Sequence, residues 1–322
     1  METRLKVYQK ILGVIYIFLI CFFAILCLQS GNDSGVLSGR FSEMFANLFG
    51  ITNNEELGRY IRKLIGHFGF FCLFGTVSSL FYLTFVSKKV WLRILISVTT
   101  GFIYIVITEF VLQNIAVDRG PSVNDVLLDY SGFIALSIIT YLIYFAYTYI
   151  QNKDLYYNLK ARKIYIITTG TIYGLLLIGY IILSFLTGKS SSQVSSSVSQ
   201  VVIDVTPGAG SKTVSQSDTT TQMFMRKLIG HFGYFFILSA SSFLFYFGLR
   251  GLKNKWKYLI HIVSGIGFAI ITEYVIQNII STRTASFNDV LIDSTGFITM
   301  TLVFLLIVYS TKLILEDKYD SF

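Results

Sequence analysis

One set of residues able to bind anions or move protons occurs twice in this chain, in the same order and spacing. The first set is Arg62, Lys63, His67, Glu109, Gln113, Arg119, Asp125 and Asp129. The second is Arg226, Lys227, His231, Glu273, Gln277, Arg283, Asp289 and Asp293, each 164 positions later. The octapeptide from Arg62 to Gly69 returns letter for letter from Arg226 to Gly233. Arginine and lysine suit a phosphate or carboxylate. Histidine with carboxylates suits hydrogen bonding to a polar group or acid–base chemistry. One histidine per set is a weak donor set for zinc, so no metal is expected. The chain has no His-Glu-x-x-His, Gly-x-Ser-x-Gly, glycine-rich phosphate loop or Cys-x-x-Cys, and no cofactor is expected either.

The elements that must position these groups follow from the repeat and from the composition. No gap is needed between residues 62 and 133 to match the copies. Apolar residues interchange (Phe110 for Tyr274, Leu112 for Ile276) while the eight polar residues of the set do not. The chain is a tandem duplication. Hydrophobic residues make up 53% of it and charged residues 14%, well below the roughly 25% charged residues usual in water-soluble domains. Eight stretches are long enough to cross a bilayer. They lie near Ile11–Leu28, Leu64–Val86, Ile94–Ile115, Val126–Ile150, Ile164–Leu186, Leu228–Leu249, Tyr258–Ile280 and Val290–Ile314. The expected fold is an all-α membrane protein with eight transmembrane helices in two parallel four-helix repeats. The repeats cover residues 1–150 and 164–314, with a cytoplasmic linker at 151–163 and a cytoplasmic tail at 315–322.

With a cytoplasmic N-terminus, 16 of the 26 basic residues fall in inside segments, although the outside loops are longer. That asymmetry puts both termini in the cytoplasm. It also explains the net charge of +8 by topology and anionic lipid. Basic residues scattered over many short loops exclude nucleic acid as a partner. The first span follows Arg4, Lys6 and Lys10 as a signal peptide would, but no small-x-small cleavage site follows it, so it is read as retained. Cys21, Cys27 and Cys72 lie in apolar spans and are expected to be small core residues.

Each repeat reads as a helix, a long outer loop, a helix opened by the octapeptide, a basic turn and a helical hairpin. Glu109 and Gln113 stand at i and i+4 near the outer end of the third helix, and Asp125 and Asp129 likewise at the start of the fourth. Each pair therefore shares a helix face. Leu37, Phe41, Met44, Phe45 and Leu48 in the first loop, and Val194, Val198, Val201, Val202 and Val205 in the second, recur at helical spacing. They suit a short helix in the outer interface, while Ser190–Ser199 and Pro207-Gly208 also suit a flexible linker.

Structural roles compete with functional ones. Ser122-x-x-Asp125 and Ser286-x-x-Asp289 match the capping box, which would assign both aspartates to helix starts. Arg119 could simply neutralise Glu109 or Asp129. Arg62 and Lys63 could be headgroup anchors, and Gly132 and Gly296 would permit close helix packing. Recurrence within an identical octapeptide favours a functional His67, and ionisable groups inside a membrane are functional by default.

These residues resemble the pattern of the VanZ-like family of bacterial membrane proteins. Lys63-x-x-x-His67-Phe68 is followed by Glu109-x-x-x-Gln113, Arg119, Asp125-x-x-x-Asp129 and Gly132, and the set recurs in the second half. Asp118, Gly120 and Pro121 become Thr282, Thr284 and Ala285 there, so that hairpin tip departs from the pattern. The resemblance implies a bacterial envelope protein that affects sensitivity to teicoplanin, a lipid-tailed glycopeptide acting at the outer membrane face. The favoured expectation is a non-enzymatic outer-leaflet pocket in each repeat, built from the sixteen residues above. Its partners would be membrane lipid and a lipoglycopeptide or lipid-linked cell-wall precursor. One alternative is an intramembrane hydrolase or transferase working on a lipid-linked phosphate or sugar through His67, Glu109, Asp129, His231, Glu273 and Asp293. A small-solute transporter is the other, disfavoured by the cluster's outer depth.

Overall fold

The structure is a computed structural model describing residues 4–51, 55–151, 159–185, 219–249, 251–279 and 285–320. Every regular element among the described residues is helical. Eight helices are long and apolar enough to cross a membrane, which marks a multi-pass membrane protein. They are α1 (Arg4–Leu28), α3 (Leu57–Leu83), α4 (Val90–Ile115), α5 (Val123–Tyr149), α6 (Lys160–Phe185), α7 (Met223–Gly248), α8 (Asn254–Ile279) and α9 (Phe287–Glu316). A shorter helix, α2 (Gly31–Leu48), lies between α1 and α3.

Several helices begin before their apolar runs do. Helix α1 starts at Arg4 rather than Ile11 and α3 at Leu57 rather than Leu64. Lys160, Arg162 and Lys163 belong to α6 rather than to a linker. Long basic side chains can reach away from an apolar surface, so a helix continues past the point where its residues stop being hydrophobic. As a result the octapeptide does not open its helix. Residues Glu55–Ile61 and Thr219–Arg226 are already helical before it.

The octapeptides are also not α-helical. Arg62–Gly69 and Lys227–Gly233 are π-helical, as are Thr108–Leu112 and Ile271–Ile276. The Phe70 and Tyr234 N–H groups reach back five residues, to the carbonyls of Ile65 and Ile229. Gly69 and Gly233 lie at the tight point of that widened turn. A Cβ at either would sit 3.3 Å from the carbonyl oxygen of Leu64 or Leu228, again five residues back. Short π segments inside α-helices occur frequently at functional sites.

Helices α5 and α9 form the centre, each 50% buried over its most apolar stretch, whereas α6 is 11% buried and peripheral. The contacts are those expected when lipid, not water, surrounds the bundle. Association then depends on close van der Waals fit rather than on removing apolar area from water. Gly101 lies against the ring of the fully enclosed Phe133, and Gly265 against that of Phe297; any Cβ would overlap those rings. Gly132 and Gly296 of α5 and α9 lie on the carbonyls of Phe68 and Phe232, so the expected close packing is present.

The two halves meet along their length. Leu12, Leu80 and Ile143 pack with Phe243, Met300 and Phe304, and Tyr8 and Ser310 hydroxyls lie 2.6 Å apart. Near the octapeptides, Phe49, Tyr60 and Ile61 pack with Phe224, Met225 and Ile292. Lys227 Nζ donates to the Phe49 carbonyl at 3.0 Å.

Helix α2 follows the expected periodicity. Phe41, Met44 and Leu48 face outward, while Ser42 and Ala46 face the bundle. The Ser42 hydroxyl donates to the Gly58 carbonyl at 3.1 Å. Gly50, at φ 66°, ends this helix as a left-handed cap, with Ile51 N–H bonded back to Ala46. The corresponding valine stripe and the serine-rich loop fall outside the described residues. Of the cysteines, Cys27 is buried, but Cys21 faces out of the bundle and is not a core residue.

Candidate functional site

Each half brings the N-terminal part of its octapeptide helix together with the facing ends of its hairpin. Asp129 and Glu109 lie six residues from the hairpin ends of α5 and α4, a depth of about 9 Å at 1.5 Å rise per residue. His67 lies ten residues into α3, about 15 Å along it. That is deeper than a helix opened by the octapeptide would place it, yet the cluster stays nearer one end of the bundle than its middle.

Two pairs recur with nearly identical geometry. His67 Nδ1 lies 3.0 Å from Asp129 Oδ1, and His231 Nδ1 lies 3.0 Å from Asp293 Oδ1. Both aspartates are fully enclosed. Lys63 Nζ lies 2.7 Å from Asp125 Oδ1, and Lys227 Nζ lies 2.9 Å from Asp289 Oδ1. One turn of helix separates the two ion pairs in each half. Lys63 and His67, four residues apart in the octapeptide, meet Asp125 and Asp129, four apart on α5, in register.

The capping box forms only in part. Ser122 Oγ accepts from the Asp125 N–H at 3.2 Å, and Ser286 Oγ accepts from the Asp289 N–H at 3.3 Å. The return bond is replaced. Ser122 N–H donates to Glu109 Oε1 at 2.9 Å, which frees the Asp125 carboxylate for Lys63. The aspartates thus sit at helix starts without being spent there. Gln113 and Gln277 donate from one turn further along to Glu109 and Glu273, fixing two buried carboxylates. Glu109 is within electrostatic reach of His67, Asp125 and Asp129.

Arg119 has a role that the sequence reading did not include. Its Nη1 donates to the carbonyls of Leu26 and Cys27, at 3.1 and 3.2 Å. It therefore ties the last turn of α1 to the hairpin and satisfies carbonyls that a helix end leaves over. Arg283 lies outside the described residues. Arg62 is exposed and Arg226 half-buried, so both sit at the rim of the cluster rather than within it.

Three further features bear on the site and were not singled out in the sequence. Tyr180 of α6 donates its hydroxyl to Asp293 Oδ2 at 3.3 Å and lies equally close to His231 Nδ1. Its counterpart is Phe23, whose ring meets that of His67 edge-on at 6.3 Å. Both are in first helices that match only with a shifted offset, so the 164-residue comparison does not align them. His261 is the third histidine. Its two ring nitrogens lie 2.6 and 2.9 Å from the hydroxyls of Ser242 and Thr301. It is a satisfied core histidine, and the 164-residue offset places Ser97 opposite it.

No metal was expected, yet distances allow one in the second half. Atoms of His231, Glu273 and Asp293 lie within 4.8 Å of one another, the one such group among the described residues. Glu273 Oε2 is enclosed and without a partner among them. The hydrogen bonds that His231 and Asp293 already make to each other would have to yield to an ion.

Comparison with known proteins finds no matching family model, no matching curated protein and no matching solved structure. The reading of the site therefore rests on its own chemistry.

Proposed function

We propose that this chain is a bacterial envelope protein that binds an amphiphile with a polar head and a lipid tail, at the outer leaflet. The observation that carries this reading is a pair of ion pairs, Lys63–Asp125 and His67–Asp129, set one turn apart beneath the rim arginine and repeated in the second half. Charged groups in a membrane-spanning bundle cost several kcal/mol and persist where they serve a function. Rim basic residues suit a phosphate or carboxylate head. The outward apolar stripe of α2 beside this end supplies a surface for an acyl tail.

Orientation supports the same reading. The excess of basic residues in the opposite turns and at both termini favours a cytoplasmic side for those and an outer side for the octapeptides. The two four-helix units then run parallel. The resemblance of the motif to the VanZ-like family favours a lipid-tailed glycopeptide or a lipid-linked cell-wall precursor as the ligand.

The test is binding of teicoplanin to the protein in phosphatidylcholine nanodiscs. The reading expects saturable binding, lost by more than tenfold when His67→Ala and His231→Ala are combined in a folded protein. Unchanged binding in that double variant would overturn it.

A second reading is favoured by the closeness of His231, Glu273 and Asp293. Such a group could transfer protons during hydrolysis of a lipid-linked phosphate or sugar. It expects multiple turnovers by purified protein, abolished by Asp129→Asn with Asp293→Asn.

A further inference from the structure

The two sites share their ionisable residues but differ at one aromatic position. Tyr16 stacks on Phe81 at 5.3 Å and meets Tyr82 edge-on; Tyr173 stacks on Phe245 at 6.0 Å and meets Tyr246 edge-on. Two turns further along, Phe23 meets Phe71 edge-on at 4.8 Å, and Tyr180 meets Phe235 edge-on at 5.0 Å. Phe23 also lies 4.6 Å from Phe70, and Tyr180 lies 4.8 Å from Tyr234. These matched neighbours make Phe23 and Tyr180 structural counterparts.

The missing hydroxyl has a direct consequence. In the second half, Asp293 spends Oδ1 on His231 and Oδ2 on the Tyr180 hydroxyl. In the first half, Asp129 spends Oδ1 on His67 at the same distance, but the enclosed Oδ2 has no hydrogen-bond partner among the described residues. An enclosed carboxylate oxygen without a donor is unfavourable, and low surrounding polarity sharpens that cost. In the second copy the group that meets the equivalent oxygen is a phenol hydroxyl. The histidine beside it is also the more open of the two, with 18% of the His67 side chain exposed against 11% for His231.

We propose that the first repeat holds the working pocket, and that a hydroxyl of the ligand's polar head donates to Asp129 Oδ2 as the Tyr180 hydroxyl donates to Asp293 Oδ2. In the second repeat that position is filled by its own tyrosine, so the equivalent ligand hydroxyl has no place beside Asp293. The ligand head is therefore hydroxyl-bearing, as a sugar or glycerol head is. The inference rests on the amphiphile-binding reading above.

The experiment measures teicoplanin stoichiometry and affinity in phosphatidylcholine nanodiscs for the wild-type chain, Phe23→Tyr and Tyr180→Phe. Both substitutions change one hydroxyl and are compatible with folding. The expected results are one teicoplanin per wild-type chain, at least tenfold weaker binding for Phe23→Tyr, and two per chain for Tyr180→Phe. Two per wild-type chain, or wild-type affinity in Phe23→Tyr, would overturn the inference. Greater thermal stability of Phe23→Tyr with unchanged binding would mean that only water meets Asp129 Oδ2, and would overturn it too. If His67→Ala with His231→Ala abolishes binding while Phe23→Tyr does not affect it, this inference fails and the broader reading stands. A wild-type chain that binds no teicoplanin would refute both.

Discussion

The two polar clusters of this molecule share their acidic and basic side chains and differ at one tyrosine hydroxyl. In the second, His231, Asp293 and Tyr180 close a ring of hydrogen bonds, and Lys227 serves both Asp289 and the Phe49 carbonyl across the interface between halves. In the first, His67 and Asp129 hold each other and Asp129 Oδ2 is left over. Among the described residues of the second, the oxygens without a hydrogen bond are Glu273 Oε2 and Asp289 Oδ1, the latter in its ion pair with Lys227, and not those of the aspartate beside the histidine. Tyrosines have changed places elsewhere too. Tyr104 ties α1 through the Ile20 carbonyl, while Tyr234 ties α6 through the Leu176 carbonyl. A duplicated bundle can keep its packing while moving hydroxyls, so that two copies with the same charged residues differ in how one buried aspartate is satisfied.

The largest effect that would sharpen this comparison comes from removing the buried carboxylates. Asp293→Ala should destabilise by about 1–3 kcal/mol, because it takes the carboxylate from both a buried histidine and the Tyr180 hydroxyl and leaves those two only each other. Asp129→Ala should cost less, by about one hydrogen bond of 0.5–1.5 kcal/mol. Thermal or denaturant unfolding in detergent reads the difference, and equal costs would break the asymmetry. Gly132→Leu and Gly296→Leu should each cost about 1–3 kcal/mol by forcing α5 and α9 off the Phe68 and Phe232 carbonyls. Here the halves should behave alike, since this contact is the same in both.

Exchanging hydroxyls should give opposite signs. Phe23→Tyr should stabilise and Tyr180→Phe destabilise, each by about 1 kcal/mol; the same sign for both would contradict the structure. The smallest effect concerns the outer ion pairs, which are partly exposed and contribute about 0–1 kcal/mol. Lys227→Met should also loosen the contact between halves, because Lys227 holds the Phe49 carbonyl across that interface.

Much of this arrangement is legible in the residues. The apolar runs announce eight spanning helices, and the repeat nominates Lys63, His67, Glu109, Gln113, Asp125 and Asp129, which do meet in pairs. Three things escape such a reading for physical reasons. The π turns depend on a carbonyl five residues back from Gly69 and Gly233, a backbone fit that no periodicity of side chains reveals. Arg119 pairs with the α1 carbonyls rather than simply with a carboxylate, and backbone acceptors leave no mark in a sequence. Phe23 and Tyr180 sit in first helices whose register is shifted against the rest of the repeat, so a fixed offset passes over the position at which the two sites differ. The duplication selects what the halves share and hides what distinguishes them.

The most direct test of the account is a cryo-electron microscopy structure in nanodiscs with native lipids retained. The account predicts density for a polar head at His67 and Asp129, with a tail along the outward face of α2, and no such density at His231 and Asp293. Equal density at both sites, or none at either with lipid bound elsewhere, would contradict it.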